Sequence, residues 1–384
     1  MRVIIACFLY SNQEFVFFCI IVTARGIFKA LFLCPLIAQR GKKEGYLEGS
    51  FSNYLALFFL RGLFMPTAPL EEFIPRSIRP DVKALLDHLS GLIDEVVNYG
   101  SYVAKWCIEK KTRGDENAVA SLMYRNILEL IDSISVLVRN SCTEPCKILL
   151  RSLFESFLNF NYLIEKDLNL KGMDFLVCYR HDEINVLRRF DPKDPEYKKY
   201  QEKKAKDIII KNIPQKPVPD VTKRQESLRK IFEHPSYKES SAEYEKYKAG
   251  HKGRPPKKWY SMRGGPNDVY NLADYLGFPA QYEILYRSWS GLVHGTDIVN
   301  EKLFIVEQGV ASFAQLRYPS DAPFVTIMAI SFGLSAIRLM SDHYLPEKIQ
   351  ENADWYKREL EESYMKLNKI KFVDAESPLP STSI

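Results

Sequence analysis

The chain has 384 residues, of which 46% are hydrophobic and 26% charged, with a formal net charge of +5. These values exclude a collagenous or wholly disordered protein, and the length suits either two domains or one large helical domain with appendages. The 7 Cys are odd in number and irregularly spaced, which predicts reduced thiols in a cytoplasmic protein; Cys142 and Cys146 lie close together but lack the second half of a zinc site, so no metal and no cofactor is expected.

Residues 1–70 do not resemble the rest. The run FVFFCIIVTARGIFKALFLCPLIA (15–38) is apolar, but Arg25 and Lys29 interrupt it, and neither half reaches the roughly 20 residues that a membrane-spanning helix needs. The apolar run ending at Val22-Thr23-Ala24 also has the form of a signal peptide, although the remaining cysteines are not of secreted type. Two readings stay open: an extension outside the folded core, and membrane association through residues 15–38.

From Pro80 onward the pattern is helical. Val82, Leu85, Leu86, Leu89, Leu92, Ile93, Val96 and Val97 fall at the three-and-four spacing of an amphipathic helix, with Pro80 near its first turn. Segments 115–141, 145–166, 170–190, 280–294, 321–344 and 346–370 read the same way, separated by breaks such as Thr143-Glu144-Pro145 and by Pro346. Together they predict an all-α multi-helix bundle in two parts, 71–192 and 264–374, with a disordered tail at 375–384. The run 322–340 is apolar nearly all round, but Ser331, Ser335 and Arg338 make it a central core helix rather than a span.

Residues 193–263 form a basic, partly irregular insertion. They hold 16 Lys and 4 Arg against 10 Asp and Glu, a local charge of about +10 in a chain of net +5. Pro214, Pro217 and Pro219 read as linker, and a solvated insertion is one expectation. The other is a nucleic-acid footprint: Lys257 and Lys258 would meet phosphates and Trp259 would stack on a base, with RNA as the partner.

Two predicted helices carry polar residues where packing would place none. On the helix at 147–167, Arg151, Glu155 and Asn159 recur every four residues and line one face beside Tyr162. They predict an Arg151/Glu155 pair within the helix, or one wall of a site. On the helix from Pro279 to His294, the residues Glu283, Arg287, Ser290, Gly291 and His294 share a face, and Gly295 reads as the residue that ends it.

The block from Arg151 to Glu155 with Asn161 and Tyr162, and the later run through Trp259, Tyr282, Tyr286, Arg287, Ser290, His294 and Gly295, resemble a family of helical bacterial proteins catalogued as domain of unknown function 5677. That family brings no activity to transfer. Trp289 stands where the family has a small residue or Leu, which narrows any pocket there. A weaker similarity is to HEPN-type ribonucleases, which use an arginine, four to six residues and a histidine; Arg287 and His294 fit, although Ser288 departs from the usual Asn, Asp or His. Arg229/His234 and Arg338/His343 fit the spacing as well.

The HEPN resemblance implies a metal-independent ribonuclease of a toxin or defence system. Arg287 would hold the phosphate, His294 would move the proton, Ser290 or Tyr286 would add a hydrogen bond, and Glu155 or Arg151 would orient the histidine. Seven residues rise about 10.5 Å along a helix, so a shared phosphate needs Arg287 to bend back or a second chain of a homodimer. The residues alone support a different expectation: a non-catalytic interaction or sensing module in which Arg151, Glu155, Tyr286 and His294 form a buried lock between helices.

Overall fold

The computed structural model describes residues 70, 73–110, 114–214, 218–296 and 315–370 with their side chains, and the strands at 3–11, 14–23, 26–29, 303–305 and 311–313 by their backbone. The chain divides into two compact units, Met1–Pro69 and Leu70–Ile384. In the first, Val3–Ser11 (β1), Glu14–Thr23 (β2) and Gly26–Lys29 (β3) form an antiparallel sheet, with Val3 opposite Val22 and Ile20 opposite Lys29. Their Val, Ile and Phe residues suit a pleated backbone. Much of the apolar run is therefore strand, and its end at 30–38 lies outside the described residues, as does the tail from 371.

The second unit is a multi-helix bundle whose regular structure, among the described residues, is helical apart from one short two-stranded ribbon. Pro80–Glu109 (α1) has its proline in the first turn, where a missing N–H breaks no bond. Asp115–Arg139 (α2), Thr143–Glu165 (α3) and Leu168–Arg188 (α4) follow within two residues of the bounds that periodicity predicts. The basic insertion is mainly helical: Pro195–Lys206 (α5), Val221–Ile231 (α6) and Pro235–Gly250 (α7), then a 3-10 segment at Trp259–Gly264, with irregular chain between them. Val269–Tyr275 (α8) leads to the single turn Pro279–Gln281 (α9), a π-helix at Tyr282–Arg287 and Ser290–His294 (α10). Leu303–Ile305 (β4) and Ala311–Phe313 (β5) pair antiparallel.

Ala322–Tyr344 (α11) is the central helix. It is long and apolar enough to cross a bilayer, and it packs against α1, α2 and α3 with Val325, Ala329, Ile330 and Ala336 fully buried. Phe332 meets Phe154 and Phe157 at ring distances of 5.8 and 5.2 Å, and Gly333 brings the helix down on Val96, where an added Cβ would stand 2.5 Å from a methyl. The segment after Pro346 is not one helix: a 3-10 turn at Pro346–Lys348 precedes Ile349–Glu359 (α12), and Leu360, at φ −123°, separates it from Glu361–Lys366 (α13).

Candidate functional site

The helix expected from Pro279 to His294 is broken, and the break rearranges its polar face. At Tyr282–Arg287 the hydrogen bonds run five residues back, as in Ser288 N–H to Glu283 O at 3.0 Å, and Trp289 leaves the helical region at φ −91°, ψ 6°. A wider turn and the break at Trp289 shift the register, so Ser290, Gly291 and His294 no longer continue the face that Glu283 and Arg287 share. Arg287 points to solvent with its side chain 73% exposed and pairs with Glu283 at 3.1 Å. His294 is exposed and has no hydrogen-bond partner among the described residues, and Ser290 is half-buried. Gly295 ends α10 as its sequence predicts: at φ 65° it lets its own N–H reach Leu292 O and Thr296 N–H reach Gly291 O.

Of the partners expected for the polar seam of α3, Tyr286 meets Arg151, whereas Glu155 and Asn159 have others. Glu155 does not pair with Arg151; it accepts from Lys258 Nζ at 2.9 Å. Asn159 Oδ1 accepts from the indole N–H of Trp259 at 2.7 Å while its amide donates to Glu155 O. Arg151 lies over the ring of Tyr286, 4.1 Å from its centroid, and its buried Nη1 has no hydrogen-bond partner among the described residues. These contacts tie α3 to the later chain as a side-chain lock that is only part-buried and does not include His294. Trp259 is only 9% exposed and packs edge-on against Tyr162 and Phe175 at 5.6 and 5.7 Å, so its faces are not offered to a base.

Beside this lock opens a cleft of about 350 Å³, lined by Lys257, Lys258, Asn267, Asp268, Val269, Tyr270, Tyr282 and Tyr286. Asp268 caps α8 by accepting from Asn271 N–H at 2.9 Å, which fixes the rim from which Tyr270 projects. Tyr270 meets Tyr282 edge-on at 5.2 Å, and Tyr282 stacks on Tyr286 at 5.2 Å, so three tyrosines form one wall. Burial pushes the Tyr282 hydroxyl above its ordinary range, which keeps it a neutral hydrogen-bond donor. Lys257 is exposed and has no carboxylate partner among the described residues, whereas Lys258 is tied to Glu155. Trp289 does not line the cleft; it turns edge-on to Phe324 at 6.0 Å.

The cleft takes Lys257, Lys258 and Tyr286 from the residues expected to act, holds Arg151 and Glu155 behind its wall, and leaves Arg287, Ser290 and His294 out of its lining. Tyr270, Asn267 and Asp268 carry no signal in the sequence beyond an aromatic residue near a basic stretch. Among the described residues, no three His, Cys, Asp or Glu side chains gather as a metal site requires, and Cys142 and Cys146 donate to the backbone oxygens of Asn140 and Cys142.

Asp174 and Arg263 tie the 3-10 segment Trp259–Gly264 to α4. Arg263, in the left-handed region at φ 55°, donates to both carboxylate oxygens of the buried Asp174 at 2.8 and 3.2 Å and to Glu239 at 3.1 Å. Burial pushes the Asp174 carboxyl up against the pull of the guanidinium, so the pair fixes where the insertion docks on α4 more than it adds stability.

Residues 117–309 match the family model described as a family of unknown function (DUF5677). No curated protein and no solved structure matches the chain. The matched stretch contains the whole cleft and its lock, together with Arg287 and His294.

Proposed function

The chain belongs to this family of unknown function, and from that premise we propose that it is a helical binding module whose cleft takes an anionic group joined to a planar ring, as in single-stranded RNA. One observation carries the reading: Tyr270, Tyr282 and Tyr286 wall a cleft whose rim holds Lys257, exposed and without a carboxylate partner among the described residues. Aromatic faces beside a cation suit a base and its phosphate, because every base offers a π-face and every linkage a charge. Arg151 behind Tyr286 holds that ring in place by cation–π attraction, and the bond from Lys258 to Glu155 keeps the rim from moving.

A second reading is metal-independent RNA cleavage of the HEPN type, in a toxin or defence system, and the exposure of His294 at a helix end favours it. There Arg287 would have to leave Glu283 to hold a phosphate, and His294 would move the proton alone, since neither Arg151 nor Glu155 reaches it.

Fluorescence anisotropy with a labelled single-stranded RNA tests the first reading. Tyr270→Ala is expected to weaken binding by about 1–3 kcal/mol, the usual worth of a base stacked on an aromatic ring. Wild-type protein that fails to bind at low salt would sink it. Incubation with mixed RNA in EDTA, beside His294→Ala, decides the second: cleavage that the substitution abolishes would make the protein a ribonuclease, and no difference between the two removes that reading.

A further inference from the structure

Between α5 and α6 the chain runs through Asp207-Ile208-Ile209-Ile210-Lys211-Asn212-Ile213, and four isoleucines there point into water. Ile208 is 84% and Ile209 77% exposed, with Ile210 and Ile213 also exposed. This is the reverse of what isoleucine does in a folded chain, where it is among the most buried residue types. They are flanked in the chain by Lys203, Lys204 and Lys206 in the last turn of α5 and by Lys211 in the 3-10 turn Ile210–Asn212, none with a carboxylate partner among the described residues. The Asp207 carboxylate accepts from the N–H groups of Ile209 and Ile210 at 2.9 and 2.7 Å, so part of the tip's backbone is already satisfied without water.

We propose that Ile208, Ile209, Ile210 and Ile213, flanked by these lysines, form a tip that inserts into the surface of an anionic lipid bilayer. Three consecutive side chains on a turn diverge, so they offer no single flat face to a folded partner. A hydrocarbon phase accepts them in any direction. The lysines are complementary in charge to acidic headgroups, and their long stems let the ammonium stay at headgroup level while the isoleucines go deeper. Nucleic acid fits less well, because aliphatic side chains gain nothing from a base's hydrogen-bonding edge and do not stack. The backbone bonds to Asp207 reduce the cost of removing this turn from water.

Co-sedimentation of the full chain with vesicles tests the tip. Wild-type protein is expected to partition at least about tenfold more strongly onto phosphatidylcholine vesicles containing about 30% phosphatidylserine than onto phosphatidylcholine alone. I208S with I209S should lower partitioning onto the acidic vesicles by about tenfold or more, since two large side chains no longer leave water. Ile209→Trp supplies a local reporter that does not depend on losing function: its added fluorescence should shift to the blue when acidic vesicles are mixed in. Equal binding to both vesicle types, unchanged binding of the double variant, or added indole fluorescence that stays red in the Ile209→Trp variant would each overturn the proposal. So would a wild-type dimer that the double variant dissolves while no vesicle binding is seen, because the tip's occupant would then be a second copy of the chain.

Discussion

His181 lies between two aromatic rings, Tyr244 at 3.9 Å and nearly parallel, and Phe232 at 4.4 Å, where α4 meets α6 and α7. Burial holds its imidazole down to about 4, against an ordinary 6.5; Glu245 pulls it back up and Lys248 presses it further down. A depressed folded-state value means the native protein binds fewer protons than the unfolded chain. The stability that neutral His181 provides is thus complete above about pH 6.5 and is lost progressively as pH falls towards 4. Urea midpoints measured from pH 7 to 5 should fall, and His181→Phe, which keeps the stack and removes the proton, should flatten the decline. His343, shifted in the same direction by burial, keeps some slope in the variant. An identical slope in wild type and variant would mean that His181 is as solvated folded as unfolded.

At the scale of elements, α11 reaches its neighbours through Gly333, where a Cβ would stand 2.5 Å from Val96 Cγ1 and 3.2 Å from Ile131 Cδ1. Gly333→Leu should therefore destabilise the bundle by about 1–3 kcal/mol or more, seen as a lower denaturation midpoint. A neutral outcome would show that α1 and α11 can slide apart freely. This contact also marks how far the sequence could be read. The spacing of Leu86, Leu89, Ile93 and Val96 announces a helix and its buried face, and the same signal places α2, α3, α4 and α11. It does not say which face meets which helix. The late segment misled for a local reason: YEILYR has no residue that forbids an α-helix, yet the chain takes a π-turn there and Trp289 breaks away. Arg287 and His294 kept their spacing in sequence and lost their common face. Arg151 and Glu155 were legible as out of place among apolar neighbours, and Tyr286 was legible as a neighbour for them, but the pairing of Glu155 with Lys258 comes from a distant part of the chain that the helix pattern does not connect to it.

Across the whole molecule, the insertion's charge is less free than its composition implies. Lys199, Lys246 and Lys248 are held by glutamates three residues away, Arg224 by Glu183 and Arg263 by Asp174, so these cations offer little to an outside phosphate. At the cleft rim Lys257 has no carboxylate partner among the described residues and Lys258 is shared with Glu155. If RNA enters there, the two lysines contribute unequally to the salt dependence. Each phosphate neutralised releases counterions and adds about −0.7 to the slope of log affinity against log salt for a single strand. Lys257→Ala should reduce the slope by nearly that amount. Lys258→Ala should reduce it less, because its charge is already engaged. Glu155→Gln should do the opposite, freeing Lys258, steepening the slope and tightening binding at low salt. Anisotropy titrations at four or more salt concentrations measure all three. A slope that none of the three changes would place the strand's path away from this cleft, even if the protein binds RNA.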